Sequence, residues 1–373
     1  MSELSEHFNR ERYVAADWGG WRKQLSHRIK TLAELREWIN VTPGEEEAIR
    51  RSEGKYRWSI THYYASLMDP DDENCPVRQQ AVPNLRELNT YPNSQIDPVG
   101  DITNRKTNRV VHKYPDRIVL LVTEVCPVYC RHCTRKFHTT DMDGTYFGDS
   151  EAKSYEEDFA YIAAHPEIRD VLLTGGDPLV YPDEKLRFIL ERLRAIPHIE
   201  IIRIGSRFPV LMPARITPEL CEMLEQFHPL WLNTHFNHPK EITPAAAAAC
   251  DRLLRHGIPV QNQSVLLKGI NDDPVTMRTL LHSLLKIRVR PYYLYHCDNV
   301  VGVSHFMTSL ERGREIMESL VGFTTGFGIP QYVLETELGK IPASREVLRR
   351  TDIGEILVEN YDKRTKNLGA VLR

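Results

Sequence analysis

Short apolar runs alternate with longer amphipathic stretches over the central and C-terminal parts of the chain. The runs are rich in β-branched residues and begin near Ile118, Val171, Ile201, Leu230, Pro259 and Ile287. From Val171 onward they recur about every thirty residues, the length of one β/α unit. Strands that alternate with helices predict a parallel sheet, and six such units predict an α/β fold, a partial (β/α)6-type TIM barrel. A doubly wound open sheet is the alternative architecture.

Helical patterns fill the gaps between these runs. Residues 185–195 and 218–227 alternate charged and apolar side chains, and an Ala-rich helix is expected after Thr243-Pro244. A further helix is expected around residues 311–320. Residues 331–335 are then expected to add one more strand near the barrel edge.

The first hundred residues have a different pattern. Apolar side chains at roughly helical spacing predict helices between Trp18 and Trp38, and residues 42–47 are typical of an N-cap with an early Pro and an acidic first turn. Residues 69–104, here called the strap, are rich in Asp, Pro and Asn and predict an irregular connection. We divide the chain into a helical N-terminal segment with the strap (1–105), a barrel (106–325) and a C-terminal segment (326–373).

Composition and charge exclude several classes of protein. The 373 residues include 51 acidic and 48 basic side chains, a net charge of −3, and 41% are hydrophobic. This balance is typical of a globular protein and does not favour a nucleic-acid partner bound through charge. The N-terminus has no secretory pattern, and no apolar run reaches membrane-spanning length. We therefore expect a cytoplasmic protein without a nucleic-acid or membrane partner.

The residues that follow the predicted strands are polar, and three of them are closely spaced cysteines. Barrel enzymes place their active sites at the carboxyl ends of the strands. Cys126, Cys130 and Cys133 follow the first strand at positions i, i+4 and i+7. Thiolates at this spacing can hold three irons of a [4Fe-4S] cluster and leave the fourth iron open to a small molecule. A zinc site completed by His132, or three ordinary buried cysteines, are the alternatives.

The cysteine loop, followed by Gly175-Gly176-Asp177 at the next strand end, resembles the radical S-adenosylmethionine superfamily. Longer runs are similar to the lysine 2,3-aminomutase family, and the likeness covers most of the chain from about residue 90 to residue 345. Those runs are residues 112–137, 204–207, 233–238, 262–269 and 287–298. The resemblance implies a barrel of the radical S-adenosylmethionine type. It also implies that S-adenosyl-L-methionine chelates the open iron and yields a 5′-deoxyadenosyl radical after one-electron reduction.

The same resemblance implies which residues contact S-adenosylmethionine. Gly175 and Gly176 lack Cβ atoms, so backbone there can approach the methionyl amino group, and Asp177 would orient that group. Three further strand-end or loop residues are expected to contact a cofactor: His132, His235 and Gln263.

Family members also use pyridoxal 5′-phosphate, which requires a Schiff-base lysine. Lys340 stands where the resemblance places that lysine, although the family's usual glycine run before it is replaced by residues 336–339. The remaining pyridoxal phosphate contacts implied by resemblance are Lys113 and Arg117 for the phosphate, with Tyr114 and Tyr295 beside the cofactor.

Three residues are candidates for binding the substrate. Arg135 resembles the family arginine that pairs with the substrate carboxylate. Asp298 matches one of two acidic residues that hold a lysine side-chain ammonium, and Glu335 stands near the second with one extra methylene. Two carboxylates favour a cationic substrate, because a glutamate side chain would bring a third negative charge into the pocket. We expect a free amino acid as substrate, L-lysine before arginine or ornithine.

Alternatives remain open at this stage. The altered loop at Lys340 is compatible with a radical enzyme that works without pyridoxal phosphate, and the cysteines with a non-catalytic metal-binding module. An electron donor such as flavodoxin or ferredoxin is expected. The N-terminal helices can support a homodimer or homotetramer, or can cap their own barrel. No cysteine follows Cys297, so we expect no C-terminal structural zinc site, and Cys297 itself has no assigned role.

Overall fold

The computed structural model describes residue 13 and residues 19–140, 154–343, 348–352, 355–360 and 362–368. Its main feature is a nine-stranded sheet in which the strands lie side by side in chain order. The strands are β1 Val110–Tyr114, β2 Arg117–Thr123, β3 Asp170–Gly175, β4 Ile201–Gly205, β5 Leu230–Thr234, β6 Val260–Leu266, β7 Arg290–His296, β8 Gln331–Thr336 and β9 Gly339–Pro342. A separate three-stranded antiparallel sheet contains β10 Leu348–Arg350, β11 Ile356–Glu359 and β12 Thr365–Asn367.

Strands β2 to β8 run parallel, while β1 and β9 pair antiparallel at the two edges. All six predicted β/α strands are present, and residues 331–336 form the additional parallel strand. The partial barrel predicted from the sequence is confirmed. The doubly wound alternative is wrong, because such a sheet reverses its strand order at a switch point, whereas this order is sequential.

The helices pack on the outside of the sheet and over one of its ends. In chain order they are α1 Trp21–Ser26, α2 Leu32–Arg36, α3 Pro43–Ser52, α4 His62–Ala65, α5 Pro76–Gln79, α6 Lys136–Thr139, α7 Glu156–Ala164, α8 Asp183–Arg194, α9 Phe208–Leu211, α10 Pro218–Leu224, α11 Pro244–Arg255, α12 Pro274–Lys286 and α13 Leu310–Leu320. The predicted N-caps are present: Thr42 forms a capping box with Glu45, and the Thr243 hydroxyl accepts from Ala246 N. No helix in the described part of the chain is long and apolar enough to cross a bilayer.

The N-terminal helices pack against their own barrel. Ile29, Trp38 and Tyr64 belong to the same buried cluster as the barrel strands and helices. The Thr61 hydroxyl donates to Leu211 O at 2.5 Å, and the Tyr64 hydroxyl donates to Glu241 at 2.7 Å. The N-terminal segment therefore forms a cap over the barrel, while the boundaries at 105 and 325 stay predictions.

The two edges of the sheet approach each other through side chains. Lys113 of β1 donates to Glu335 Oε1 and to Thr336 O, both at 2.7 Å, and to Val99 O of the strap at 2.9 Å. An ammonium has three N–H donors, so these bonds use all of them. We call this contact between β1, β8 and the strap the seam.

A second side chain of β1 extends the seam to β9. The Tyr114 hydroxyl accepts a hydrogen bond from Lys340 N at 2.8 Å. Gly339 has φ of 110°, and a Cβ there would lie 2.9 Å from the Tyr114 oxygen. Glycine at this position therefore permits both the backbone conformation and the close approach of Tyr114.

A buried ion cluster fixes the strap to the loop that follows β2. Glu87 is 1% exposed and bonds Arg131 Nε at 2.9 Å and Lys136 Nζ at 2.6 Å. Burial alone would raise the pKa of Glu87, but the charges of Arg131 and Lys136 outweigh it and lower that pKa from 4.5 to about 2. The folded pKa is below the unfolded one, so the stabilisation is complete above pH 4.5 and is lost as the pH falls towards 2.

Removal of the Glu87 carboxylate should therefore destabilise the protein. We expect Glu87→Ala to lower the free energy of unfolding by about 3–5 kcal/mol at pH 7, because two cations are left buried without a counter-charge. Glu184→Ala is the control, since Glu184 pairs with Arg22 across 3.7 Å on the surface, and should cost less than about 1 kcal/mol. Denaturant unfolding followed by circular dichroism measures both. Equal losses in the two variants would contradict the assignment.

Candidate active site

The cysteine loop leaves β2 at the carboxyl end of the sheet and is held by backbone bonds to two other segments. Asp177 N, just after β3, donates to Val125 O at 2.9 Å, and Arg131 N donates to Gln80 O of the strap at 2.9 Å. The loop that carries the three cysteines is therefore fixed from both sides.

The three cysteine thiols are free and close enough to affect one another. Burial, followed by the charge of Cys133, raises the pKa of Cys126 far above its ordinary value; burial and then Cys130 raise the pKa of Cys133 to about 11. Thiols that resist ionisation become ligands only when a strong cation compensates the thiolate charge. This donor set fits the irons of a cluster.

The described residues contain no preformed site for a single zinc ion. In the described residues, no three His, Cys, Asp or Glu side chains are grouped so that they could hold a single metal ion. His132 Nε2 is already bonded to Asn237 Nδ2 at 3.2 Å. His132 therefore faces a neighbouring strand end, and its predicted cofactor contact does not require a role as metal ligand.

Arg207 is a residue whose role the sequence reasoning missed. It follows β4, is 6% exposed, and its guanidinium donates to Cys130 Sγ at 2.9 Å and to His235 O at 2.8 Å. A second pair of bonds reaches Glu241 and Gln80, at 2.7 and 2.6 Å. Arg207 thus links the cysteine loop to two strand ends and the strap. An arginine two residues after the end of β4 was the available signal.

Gly175 and Gly176 lie where β3 passes closest to the start of the cysteine loop. A Cβ on Gly175 would lie 2.5 Å from Thr123 O, and one on Gly176 would lie 2.4 Å from Val125 O. Because real Cβ atoms do not approach backbone this closely, the packing of β3 against the loop already requires both glycines. Their contact with a methionyl group stays a prediction.

Asp177 connects the ends of β3 and β4. Its carboxylate accepts from Arg207 N at 2.7 Å and from Leu179 N at 3.1 Å. Burial raises the pKa of Asp177 to about 6, against the lowering effect of these hydrogen bonds. Its role in the structure is to position backbone, and its predicted role towards S-adenosylmethionine is untested.

Two histidines present unsatisfied nitrogens beside the cysteine loop. His132 Nδ1 and His235 Nε2 are buried and have no hydrogen-bond partner among the described residues, and the two rings meet edge to face at 5.4 Å. Burial lowers the pKa of His235 to about 3, so the ring is neutral. Buried orphan nitrogens are costly, and a bound polar ligand would satisfy them. Gln263 lies within β6, in register with Tyr293 of β7, and its contact with a cofactor stays a prediction.

Lys340 lies on the hairpin formed by β8 and β9, directly across from Glu335. Its ammonium is 2.7 Å from Glu335 Oε2, and it lies 5.5 and 5.8 Å from the ring centres of Tyr114 and Tyr295. An amine between two aromatic rings, with a carboxylate in hydrogen-bond reach, fits the attachment of an aromatic aldehyde such as pyridoxal phosphate. The predicted lysine and the two predicted tyrosines are thus brought together.

The predicted phosphate ligands have different surroundings. Lys113 gives its three donors to the seam, so a phosphate contact would require one of those bonds to change. Arg117 stacks over the Tyr114 ring at 3.8 Å and bonds Asp116 at 2.7 Å. Arg117 is the better-placed cation for the phosphate of the two.

The substrate candidates Arg135, Asp298 and Glu335 also lie at this end of the barrel. Arg135 Nε donates to Asp101 of the strap at 2.6 Å, a partner not predicted from the sequence. Asp298 accepts from the Thr134 hydroxyl. Burial, opposed by that bond and reinforced by the charge of Glu335, raises the pKa of Asp298 to about 6. Asp298 and Glu335 therefore interact unfavourably, and of the two only Glu335 has cationic partners in hydrogen-bond reach among the described residues, namely Lys113 and Lys340.

The other cysteines are structural. Cys297, which had no assigned role, is 1% exposed and packs in a small apolar cluster with Leu267, Val300 and Phe306. Three more are buried and free: Cys75, Cys221 and Cys250.

Comparisons with known proteins agree with the geometry. Residues 120–281 match the model of the Radical SAM superfamily. An L-lysine 2,3-aminomutase from Acetoanaerobium sticklandii is 45% identical over 348 residues, which are 93% of this chain and 83% of that protein. One from Clostridium subterminale is 45% identical over 349 residues, with the same coverage of 93% and 83%.

A relative of different specificity is similar to nearly the same degree. A glutamate 2,3-aminomutase from Clostridioides difficile is 42% identical over 323 residues, which are 87% of this chain and 75% of that protein. Sequence identity alone therefore does not show which amino acid is the substrate. Sequence identity does establish the family, together with the cysteine loop at the end of the first parallel barrel strand. The chain belongs to the lysine 2,3-aminomutase family of radical S-adenosylmethionine isomerases, whose cofactors are a [4Fe-4S] cluster, S-adenosyl-L-methionine and pyridoxal 5′-phosphate.

Proposed function

We propose that the chain is an amino acid 2,3-aminomutase that moves the α-amino group of free L-lysine to the β-carbon and holds pyridoxal phosphate on Lys340. The observation that carries the choice of substrate is the pair of carboxylates, Asp298 and Glu335, that interact electrostatically at the Lys340 end of the barrel. A glutamate side chain there would add a third negative charge. An ammonium would instead pair with Asp298, which forms no ion pair within the described part of the chain, whereas Glu335 already pairs with Lys113 and Lys340.

The cofactors would be held by three sets of residues. Cys126, Cys130 and Cys133 would ligate the cluster, and the unpartnered nitrogens of His132 and His235 would contact S-adenosylmethionine. When bound, the cluster and S-adenosylmethionine supply hydrogen-atom abstraction, and pyridoxal phosphate supplies the group on which nitrogen migrates.

The protein's own residues position the reactants and move one proton. Lys340 must lose a proton before its nitrogen can bond a carbonyl, and Glu335 Oε2 at 2.7 Å lies within reach to accept it. The Arg135 guanidinium has five N–H donors and gives two of them to Asp101, at 2.6 and 3.4 Å, which fixes one edge of the guanidinium. A substrate carboxylate can then bind the oriented fork, which places the α-carbon by a charge-assisted contact.

Further parts of the proposal concern the cell. We propose that the protein works in the cytoplasm and that a reductant of the flavodoxin or ferredoxin type supplies the electron. A homodimer or homotetramer is compatible with the proposal, but nothing in the function requires it.

The proposal predicts the outcome of an anaerobic assay with dithionite and S-adenosylmethionine. With lysine, arginine, ornithine and glutamate offered in parallel, we expect β-lysine to form fastest, because lysine brings an ammonium to the Asp298–Glu335 pair. Amino acid analysis by mass spectrometry measures the products. Reaction of glutamate alone would contradict the proposal of a cationic substrate. If arginine or ornithine reacted fastest, that amino acid would replace lysine as the proposed substrate.

Lys340 can be tested separately from turnover. Borohydride reduction of the enzyme loaded with pyridoxal phosphate should fix the cofactor on the peptide that contains Lys340, and Lys340→Arg should abolish this labelling. Labelling on another lysine would contradict the assignment, and no labelling after incubation with pyridoxal phosphate would favour a radical enzyme that does not use this cofactor.

Asp298 should control the affinity for the cationic side chain. We expect Asp298→Asn to raise KM for lysine about 10- to 100-fold, the usual loss for a buried charged contact. The wild-type KM should also rise as the pH falls below about 6, because Asp298 then becomes protonated, and the variant should lose this dependence. Asp251→Asn, on the surface of α11, is the control. An unchanged KM in Asp298→Asn would remove Asp298 from the substrate site.

A further inference from the structure

A cavity of about 480 Å³ lies between the strap and the loops that follow β6 and β7. Its lining includes Asn74, Arg86 and Tyr91 from the strap and Lys268, Ser304 and His305 from the barrel loops. None of the residues assigned above to the cluster, the cofactors or the substrate lines it. The volume is in the range of small-molecule sites in proteins.

His305 is the buried polar group of this cavity. It is 8% exposed, and neither of its ring nitrogens has a hydrogen-bond partner among the described residues. Its ring packs on Phe306 with 4.1 Å between centres, which fixes its position. Burial lowers the pKa of His305 to about 4, so the neutral ring offers one donor and one acceptor. Each ring nitrogen needs its own partner, and a ligand hydroxyl that reaches one of them can bond it in either tautomer, because a hydroxyl both donates and accepts.

The cavity is also positively charged. Arg86 and Lys268 are exposed at its edge, and neither forms an ion pair within the described part of the chain. Arg86 Nε donates to a neutral oxygen, Asn84 Oδ1, at 3.1 Å. No carboxylate occurs among the described lining residues. Two cations at one opening match the charge of a phosphate monoester, which is close to −2 at neutral pH.

We propose that this cavity binds a small phosphate monoester that also carries a hydroxyl group. Arg86 and Lys268 hold the phosphate, and His305 bonds the hydroxyl. The ligand would join the strap to the barrel at a place separate from the reaction site. Phe306, next to His305, contacts the His132 ring of the cysteine loop at 6.3 Å, so the ligand would sit one residue away from that contact. This inference does not rest on the proposed aminomutase activity.

Calorimetry on the full-length enzyme, loaded with all three cofactors and with an oxidised cluster, tests the proposal. Because pyridoxal phosphate then fills its own site, added ligands report on other sites. The probes are glycerol 3-phosphate, inorganic phosphate and glycerol, at constant low ionic strength. We expect glycerol 3-phosphate to bind most tightly, inorganic phosphate more weakly and glycerol not measurably. Hydrogen exchange of residues 74–91 should slow when glycerol 3-phosphate is bound.

Substitutions assign the binding to the cavity. Lys268→Gln should weaken glycerol 3-phosphate binding about tenfold, the usual worth of a charge-assisted contact, while Lys286→Gln at the exposed end of α12 should leave it unchanged. His305→Phe should remove the preference for glycerol 3-phosphate over inorganic phosphate. Lys268 is exposed, so its variant remains decisive if His305→Phe does not fold.

Three results would overturn the proposal. Absence of binding by both phosphate probes would exclude a phosphate site. Equal weakening by Lys268→Gln and Lys286→Gln would show that the binding is non-specific attraction to surface charge. Binding of glycerol as tight as that of glycerol 3-phosphate would exclude the phosphate as the recognised group.

Discussion

The sheet of this protein is an open barrel, and its two edges are joined by a charged side-chain seam. Lys113 donates hydrogen bonds to Glu335, Thr336 and Val99, which use all three N–H donors of its ammonium. The Tyr114 hydroxyl accepts a hydrogen bond from the backbone N–H of Lys340. Without these bonds β1 and β9 would be free edges, and the hairpin that carries Lys340 would lack a fixed position. The same contacts that close the fold therefore place the reactive amine. Because Glu335 belongs to both the seam and the candidate site, stability and chemistry depend on one carboxylate.

A second constraint acts at the cysteine loop. Glu87 binds the loop through Arg131 and Lys136, and Arg207 reaches Cys130 from the opposite side. These groups are buried and charged, so each would be costly alone and is tolerated only as part of a paired network. The network fixes the loop from the strap and from β4 at once. A loop that must present three thiols in a set geometry gains from such rigid support.

Much of the fold follows from local patterns in the sequence. The apolar runs identified each parallel strand, since a buried strand needs a continuous apolar segment, and Thr42 and Thr243 identified helix starts through their capping chemistry. The cysteine spacing identified the cluster loop for the same local reason. Polar partners from distant segments were not predictable in this way. Glu87 in the motif Asn84-x-x-Glu87 indicates a capping box, which the structure contains, and nothing local reveals that it also binds Arg131. Likewise, the pairing of Arg135 with Asp101 depends on how the strap crosses the barrel.

The Lys113–Glu335 bond closes the seam and thereby fixes the hairpin of Lys340. Native-state hydrogen exchange of residues 339–342 tests it most directly, measured in the full-length enzyme, in Lys113→Met, in Glu335→Gln and in the double variant. We expect each single change to speed exchange about 10- to 100-fold and the double change to have less effect than the product of the two, because both remove the shared Lys113–Glu335 bond, while Lys113 also bonds Thr336 and Val99 and Glu335 also pairs with Lys340. Independent effects that multiply in the double variant, or exchange that stays at the wild-type rate in both single variants, would contradict it.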